Sequence, residues 1–308
     1  MFNEIKNKKI VVCGDIMIDR YWFGDVDRIS PEAPVPVLKV NRIDDRLGGA
    51  ANVAANVAGV GANSFLVSVV GADDNGKYLK NIAKSSGIYP DFIEGKNLRT
   101  TLKLRMIGKN QQLLRCDFED GIHESYLFDL KSHINTHLSD ANILILSDYK
   151  KGVLNKSQDL ISLANTYNVP VLVDPKGDNY NKYSNSFLIK PNKKELESVI
   201  GCWNSEDELT EKVFCLIERL KIQYLLLTRS EEGMTLFSRN SRVHFQSQAR
   251  EVYDVSGAGD TVIAILGVMM SLGFSMNQAV KIANQAAGIV VGKFGTFPLT
   301  QKDLESCL

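Results

Sequence analysis

Apolar residues in this chain come in short, nearly unbroken runs. Residues 9–15 ("KIVVCGD"), 63–71, 141–148, 170–175, 186–192 and 224–230 are such runs, rich in Val, Ile and Leu. A strand covered on both faces need not alternate polar and apolar positions, so each reads as a buried strand. The spacing becomes helical over 48–61, 75–87, 155–168, 192–201 and 205–221, and again over 257–273 and 275–294. The 48–61 stretch is rich in small residues and predicts a tightly packed helix. Strands alternating with helices predict an α/β fold, with a mainly parallel central sheet covered on both faces.

Two segments break that pattern. Residues 16–43 contain "ISPEAPVPVLKV", whose three prolines exclude a central strand and favour an edge or a loop. Residues 99–118 alternate polar and apolar positions around a turn, as in an exposed hairpin. Together they predict a small β-strand lid over one end of the sheet. No repeat, low-complexity tract or linker interrupts the chain, so residues 1–308 read as one domain carrying that lid.

Composition narrows the function classes. Lys plus Arg equals Asp plus Glu at 36 each, so no net field draws the chain to nucleic acid or to an acidic membrane. The start, "MFNEIKNKKI", lacks the apolar core of a signal peptide. The most apolar stretch, 262–274, falls short of the roughly 20 residues that span a bilayer. Five scattered cysteines, never in CxxC spacing, suit a reducing compartment. The expectation is a cytoplasmic protein.

Ligands of open α/β sheets bind beyond the carboxyl ends of the strands. There the sequence places Asp15, Asp148, Asp174 with Lys176, Asn192 and Thr228, a set suited to a polyol and a phosphate. "GADDNGKY" (71–78) approximates a phosphate loop, but Tyr78 stands where Ser or Thr must hold magnesium, and Asp73 and Asp74 would repel phosphates. It reads as an acidic helix cap. "GAGDTV" lacks the third glycine of a dinucleotide fingerprint. His133 and His137 are spaced i, i+4 without a third ligand, which favours a solvated helix face.

Two stretches keep two readings each. "NKKE" (192–195) is either a capping box or a site where Asn192 and Glu195 hold magnesium through waters beside a polyphosphate. In "DVSGAGDT" (254–261), Asp260 could be an acid that gains about 0.3–1 kcal/mol from a helix dipole. Alternatively the glycines uncover the amides of 257–260 as an anion hole, and Asp260 takes the proton of an attacking hydroxyl. At an ordinary aspartate pKa of about 4 it would be ionised at pH 7.

"GGAAN" (48–52), "GADDNG" (71–76), "NKKE" and "DVSGAGD", in this order and spacing, resemble the ribokinase (PfkB) family of carbohydrate kinases, from about Ile10 to Gly295. The resemblance implies a ribokinase-like three-layer α/β/α sandwich. Finer segments such as "GDIMIDRYWFGDVDRISPEAPVPVLKV", "NQQLLRCDFE", "SDYKKG" and "VDPKG" are similar to the branch that phosphorylates C1 of a heptose 7-phosphate with ATP, toward the ADP-heptose of lipopolysaccharide core. Two positions depart from the pattern: Ser256 stands where threonine is common, and Lys150 where that branch usually has glycine.

The resemblance implies that Asp260 is the catalytic base and that Gly257, Ala258 and Gly259 supply the anion hole. Asn192, Lys193, Lys194 and Glu195 would lie at the ATP phosphates and Mg2+. Thr228, Ser230, Gly233 and Asn284 would hold the nucleotide, and Asp15, Gly49 and Asn52 the sugar hydroxyls. Asp148 joins the substrate group as a strand-end acid. Arg105, Arg115 and Lys176 are candidate clamps for the substrate's phosphate, with a solvated lid face as the plainer reading of the arginines. ATP and Mg2+ are the expected cofactors, with a monovalent cation near Asp254 as a further candidate. Expected partners are a sugar phosphate, a second copy paired through exposed lid strands, and a nucleotidyltransferase to which related kinases are often fused. The alternatives are a kinase for fructose 1- or 6-phosphate and a non-catalytic sensor, against which an intact Asp260 speaks.

Overall fold

The computed structural model describes residues 2–109, 111–248, 252–293 and 295–308. The elements begin with α1 (Phe2–Ile5), β1 (Lys9–Gly14), β2 (Ile16–Ile29), β3 (Pro36–Gly49), α2 (Ala50–Gly59), β4 (Asn63–Gly71), α3 (Asp74–Ser85) and β5 (Ile88–Gly95). The middle third holds β6 (Leu102–Gly108), β7 (Gln111–Phe118), α4 (Ser125–Leu138), β8 (Ile143–Ser147), α5 (Ser157–Thr166), β9 (Val171–Asp174), β10 (Leu188–Ile189) and α6 (Lys193–Ile200). There follow α7 (Glu206–Leu220), β11 (Tyr224–Thr228), β12 (Met234–Phe237), β13 (Arg242–Phe245), α8 (Ala258–Ser271), α9 (Met276–Val290) and α10 (Gln301–Glu305).

The large sheet runs β13-β12-β11-β10-β9-β8-β1-β4-β5. From β5 to β11 all neighbours are parallel, and β12 and β13 are added antiparallel. The central strand β1 shows why its run is unbroken. Ile10 and Val12 pack into the core on one face, and Val11 and Cys13 into the core on the other. Helices α2, α3, α8 and α9 cover the first face, and α4, α5 and α7 the second. On α2, Ala50, Ala51, Ala54 and Ala55 are all buried, and small side chains let this helix lie close against α8. That approach sets up the site below.

The small sheet, β3-β2-β6-β7, is the lid. β2 starts two residues after β1, and β3 leads straight into α2, so the lid is rooted at the strand ends. The prolines sit where a missing N–H does least harm: Pro31 and Pro34 in the turn, Pro36 at the start of the edge strand β3. The lid reaches Gly49 rather than residue 43, because β3 stays paired with β2 down to its base. β5, β12 and β13 were not expected from sequence; β12 and β13 are four residues each, and the eight-residue β5 is interrupted by Pro90, Asp91 and Glu94 at the sheet edge.

The acidic turn after β4 does cap a helix: Asp73 accepts from the Gly76 amide, and also from the amide and hydroxyl of Thr100. His133 and His137 are not merely solvated. Both meet Asp91 on β5, at 2.8 and 2.9 Å, and tie α4 to the sheet edge. Among the described residues no helix is long and apolar enough to cross a membrane.

Candidate active site

The carboxyl ends of the parallel strands deliver Asp15, Asp148, Asp174, Asn192 and Thr228 to one edge of the sheet. Beside them opens a cleft of about 450 Å³. Its walls include Asp148, Lys176, Asn192, Glu195, Thr228, Ser230, Gly233 and Asn284, together with Gly257, Ala258, Gly259 and Asp260. Val252, Val255, Met234 and Ala287 give it an apolar side.

Asp260 lies in the first turn of α8 and is 4% exposed. One carboxylate oxygen accepts from Asn52 Nδ2 at 2.8 Å, the other from the Tyr149 hydroxyl at 2.7 Å. Burial, and then repulsion from Asp174, push its pKa up to about 7, against the pull of Asn52, Tyr149 and Lys190. The ordinary value expected from sequence is therefore corrected: the carboxylate is a base poised near neutrality. Asn52 is placed by an i, i+4 pair of buried asparagines on α2. Asn56 bonds back to Asn52 and receives the Thr261 hydroxyl, locking α2 to α8.

Gly257 precedes α8 with φ +81, a conformation open to glycine, and a Cβ there would press on Asn52 Nδ2 at 2.8 Å. The amides of Gly257, Gly259 and Asp260 donate to no described residue, whereas the Ala258 amide makes a long turn bond of 3.3 Å to Val255 O. The uncovered amides sit at the positive end of a 14-residue helix. Beneath them lies a buried ion pair, Lys190 with Asp174 at 3.0 Å, and the Lys190 ammonium is 3.2 Å from where a Gly259 Cβ would be.

Also on the cleft wall, Asn192 and Glu195 form a complete capping box, each side chain accepting the other's amide at 2.9 Å. Glu195 also binds Lys176 at 2.8 Å. Capping and a place on the cleft wall thus coexist. Lys193 and Lys194 are exposed and off that wall, with Lys193 lying over Trp203. Thr228 bridges to Asn192, Ser230 and Gly233 take positive φ around the following turn, and Asn284 donates to Gln246 O at 2.7 Å.

The residues expected to hold the sugar fare differently. Asp15 is 1% exposed, and its carboxylate accepts the amides of Tyr149, Lys151 and Val153 at 2.8–3.0 Å. Through these bonds it holds the loop that carries Tyr149. Asp148 is likewise satisfied, by Lys182, Tyr183 and the Lys150 amide. Lys150 takes φ +59, a left-handed conformation that glycine adopts most freely. Gly49 turns the chain from β3 into α2 with φ +62. Arg105 pairs with Asp19 at 2.6 Å and Arg115 with Asp117 at 2.9 Å, both on the lid, while Lys176 is across the cleft at Glu195. Register sets Arg105 and Arg115 opposite each other on the lid, apart from Lys176.

Sequence reasoning missed Tyr149, Lys190, Asp19 and Lys103. Tyr149 and Lys190 lie inside quoted segments, "SDYKKG" and "SFLIKPN", and a polar residue closing an apolar run was the available signal. Asp19 sits buried on β2, so close to Gly48 that any side chain at 48 would collide with its carboxylate.

The sequence pattern that defines pfkB family carbohydrate kinases matches residues 7–302. The chain belongs to the pfkB family of carbohydrate kinases. This pfkB kinase is 49% identical over 98% of its length to D-beta-D-heptose 7-phosphate kinase of Bordetella bronchiseptica, and covers 96% of that protein. It is 47% identical over 97% of its length to the bifunctional protein HldE of Hahella chejuensis, of which it spans 63%. Its fold matches ribokinase of Arabidopsis thaliana (TM-score 0.77, 20% identity, 97% and 98% of the two chains). It also matches phosphofructokinase-2 of Escherichia coli (TM-score 0.82, 19% identity, 97% of each). The pfkB kinase is thus a sugar kinase on the three-layer α/β/α architecture of these structures, with the small sheet as its lid.

Proposed function

We propose that this kinase transfers the γ-phosphoryl group of ATP to the anomeric C1 hydroxyl of D-glycero-β-D-manno-heptose 7-phosphate. The observation that carries the phosphotransfer reading is the juxtaposition of Asp260 with uncovered amides at the start of α8. The choice of sugar is supported by the likeness to the Bordetella enzyme.

In this reading the ATP phosphates lie over the start of α8 and the acceptor hydroxyl points at Asp260. The C1 oxygen bonds to the γ-phosphorus as the bond to the β–γ bridging oxygen breaks, and the hydroxyl proton passes to Asp260. ADP leaves with the bridging oxygen. The amides of Gly257, Gly259 and Asp260, with Lys190, face the charge that spreads over the moving group. Asn52 and Tyr149 orient the base. The lid excludes water that would otherwise hydrolyse ATP.

Magnesium fits the start of α6. Glu195 and Asn192 present hard oxygen ligands that are already partly engaged, and no group of three metal-binding side chains is present among the described residues. They would therefore hold the ion through waters, where it would neutralise triphosphate charge. Both oxygens of Asp254 accept backbone amides, of Ser256 and Gly295, and a monovalent cation near this loop stays part of the reading.

The reading extends to a cytoplasmic enzyme that pairs with a second copy through the lid, and to a nucleotidyltransferase, fused or separate, acting on the later sugar product. A coupled assay for ADP tests the activity across heptose 7-phosphate, fructose 1-phosphate, fructose 6-phosphate and ribose. Heptose 7-phosphate is expected to have the highest kcat/KM. A higher value for a fructose phosphate would replace the substrate, and binding without turnover on any sugar would make the protein a sensor.

A further inference from the structure

The inner face of the lid concentrates charge. Strand register sets Asp19, Lys103 and Asp117 in one row, and Tyr21, Arg105 and Arg115 in the next. Four cations near this face are matched: Arg46 by Asp44, Arg105 by Asp19, Arg115 by Asp117, and Lys151 by Glu119 at 2.5 Å, while the exposed Arg42 lies over the Phe23 ring. Each acid on this face is thereby taken. Lys103 is left over; it makes no ion pair with any described residue. Its ammonium lies 5.9 Å from the centre of the Tyr149 ring, and the hydroxyl of that ring is on Asp260.

A half-buried ammonium without an acid is costly, because desolvation is not offset by a partner. Burial accordingly pulls the Lys103 pKa down, while the nearby carboxylates of Asp19 and Asp117 resist. Lys103 lies on the lid, off the walls of the nucleotide cleft, with one phenol ring between it and the base. An acceptor whose hydroxyl meets Asp260 extends from there toward the lid. Its far end would bring an anion to Lys103.

We propose that Lys103 anchors the phosphate carried by the sugar acceptor, flanked by Arg105, and so makes the enzyme prefer phosphorylated over free sugars. The proposal rests on the phosphotransfer reading given above.

The test uses the full chain with heptose 7-phosphate and with the same heptose lacking its phosphate. The wild type is expected to have the higher kcat/KM on the phosphorylated sugar; equal values overturn the anchor. Lys103→Met should raise KM for heptose 7-phosphate by about 10- to 100-fold, the worth of a charged hydrogen bond. KM for the free heptose and for ATP should rise far less. Lys103→Arg should recover most of the loss. An unchanged KM, or an equal rise on both sugars, overturns the proposal. If the methionine variant melts below the assay temperature, Lys103→Gln carries the same comparison. A wild type that ignores both heptoses but phosphorylates another sugar phosphate retires the heptose reading alone. The anchor is then decided by the same ratios on that sugar and its dephosphorylated form.

Discussion

At the scale of single residues, the proposed chemistry turns on a carboxylate that burial makes unusually basic. A pKa near 7 in the folded chain, against an ordinary 3.8, means the fold holds this proton more tightly than the unfolded chain does. Stability is therefore lost as pH rises from about 4 to 7, by roughly 4 kcal/mol from this group alone. Asp260→Asn removes that cost. It should melt higher than the wild type at pH 8, with the gap closing toward pH 4, while kcat falls about 10²–10⁴-fold. Calorimetry and single-turnover kinetics check the two halves, and near-normal turnover would remove Asp260 from the role of base. The Tyr149 hydroxyl favours the ionised form, so Tyr149→Phe should move the acidic limb of the kcat/KM profile to higher pH. A limb that stays in place would reduce Tyr149 to packing.

At the scale of elements, α6 serves two ends with one motif. Glutamine can replace glutamate at the third position of a capping box. Glu195→Gln should therefore leave stability nearly intact but raise the magnesium needed for half-maximal rate. Glu195→Ala should cost about 1 kcal/mol as well. A magnesium titration beside a thermal melt separates the two variants, and an unchanged titration in both would leave only the cap. This capping box was legible in four residues, because its hydrogen bonds close within one turn. The lid was legible in outline from its prolines and its alternation. Its length was not, since strand ends depend on which neighbour keeps pairing.

At the scale of the whole molecule, register aligns Ile43, Trp22, Met106 and Leu114 in a row across all four lid strands. Ile43 and Leu114 are 58% and 53% exposed. A row of apolar side chains on an exposed sheet face suits a second copy of the same face. The proposed pairing predicts a dimeric wild type in light scattering, and a shift to monomer on Leu114→Glu. A monomeric wild type at the same concentration would refute the pairing.

The sequence by itself determined the alternation of buried strands and helices, the glycine turn that opens α8, and the cap of α6. Each is set by contacts within a few residues or by a periodicity that local geometry reads directly. Only the tertiary structure decided what each charged group meets. Asp15 reaches loop amides more than 130 positions away, and Asp260 reaches Asn52 and Tyr149 across 208 and 111 positions. Those contacts set burial, and burial sets proton affinity and the balance of charge. That is why a strand-end acid at position 15 also anchors a distant loop, and why an aspartate expected to be ordinary takes up its proton near neutrality. It is also why Lys103, unremarked in sequence, is a half-buried lid cation with no ion-pair partner among the described residues.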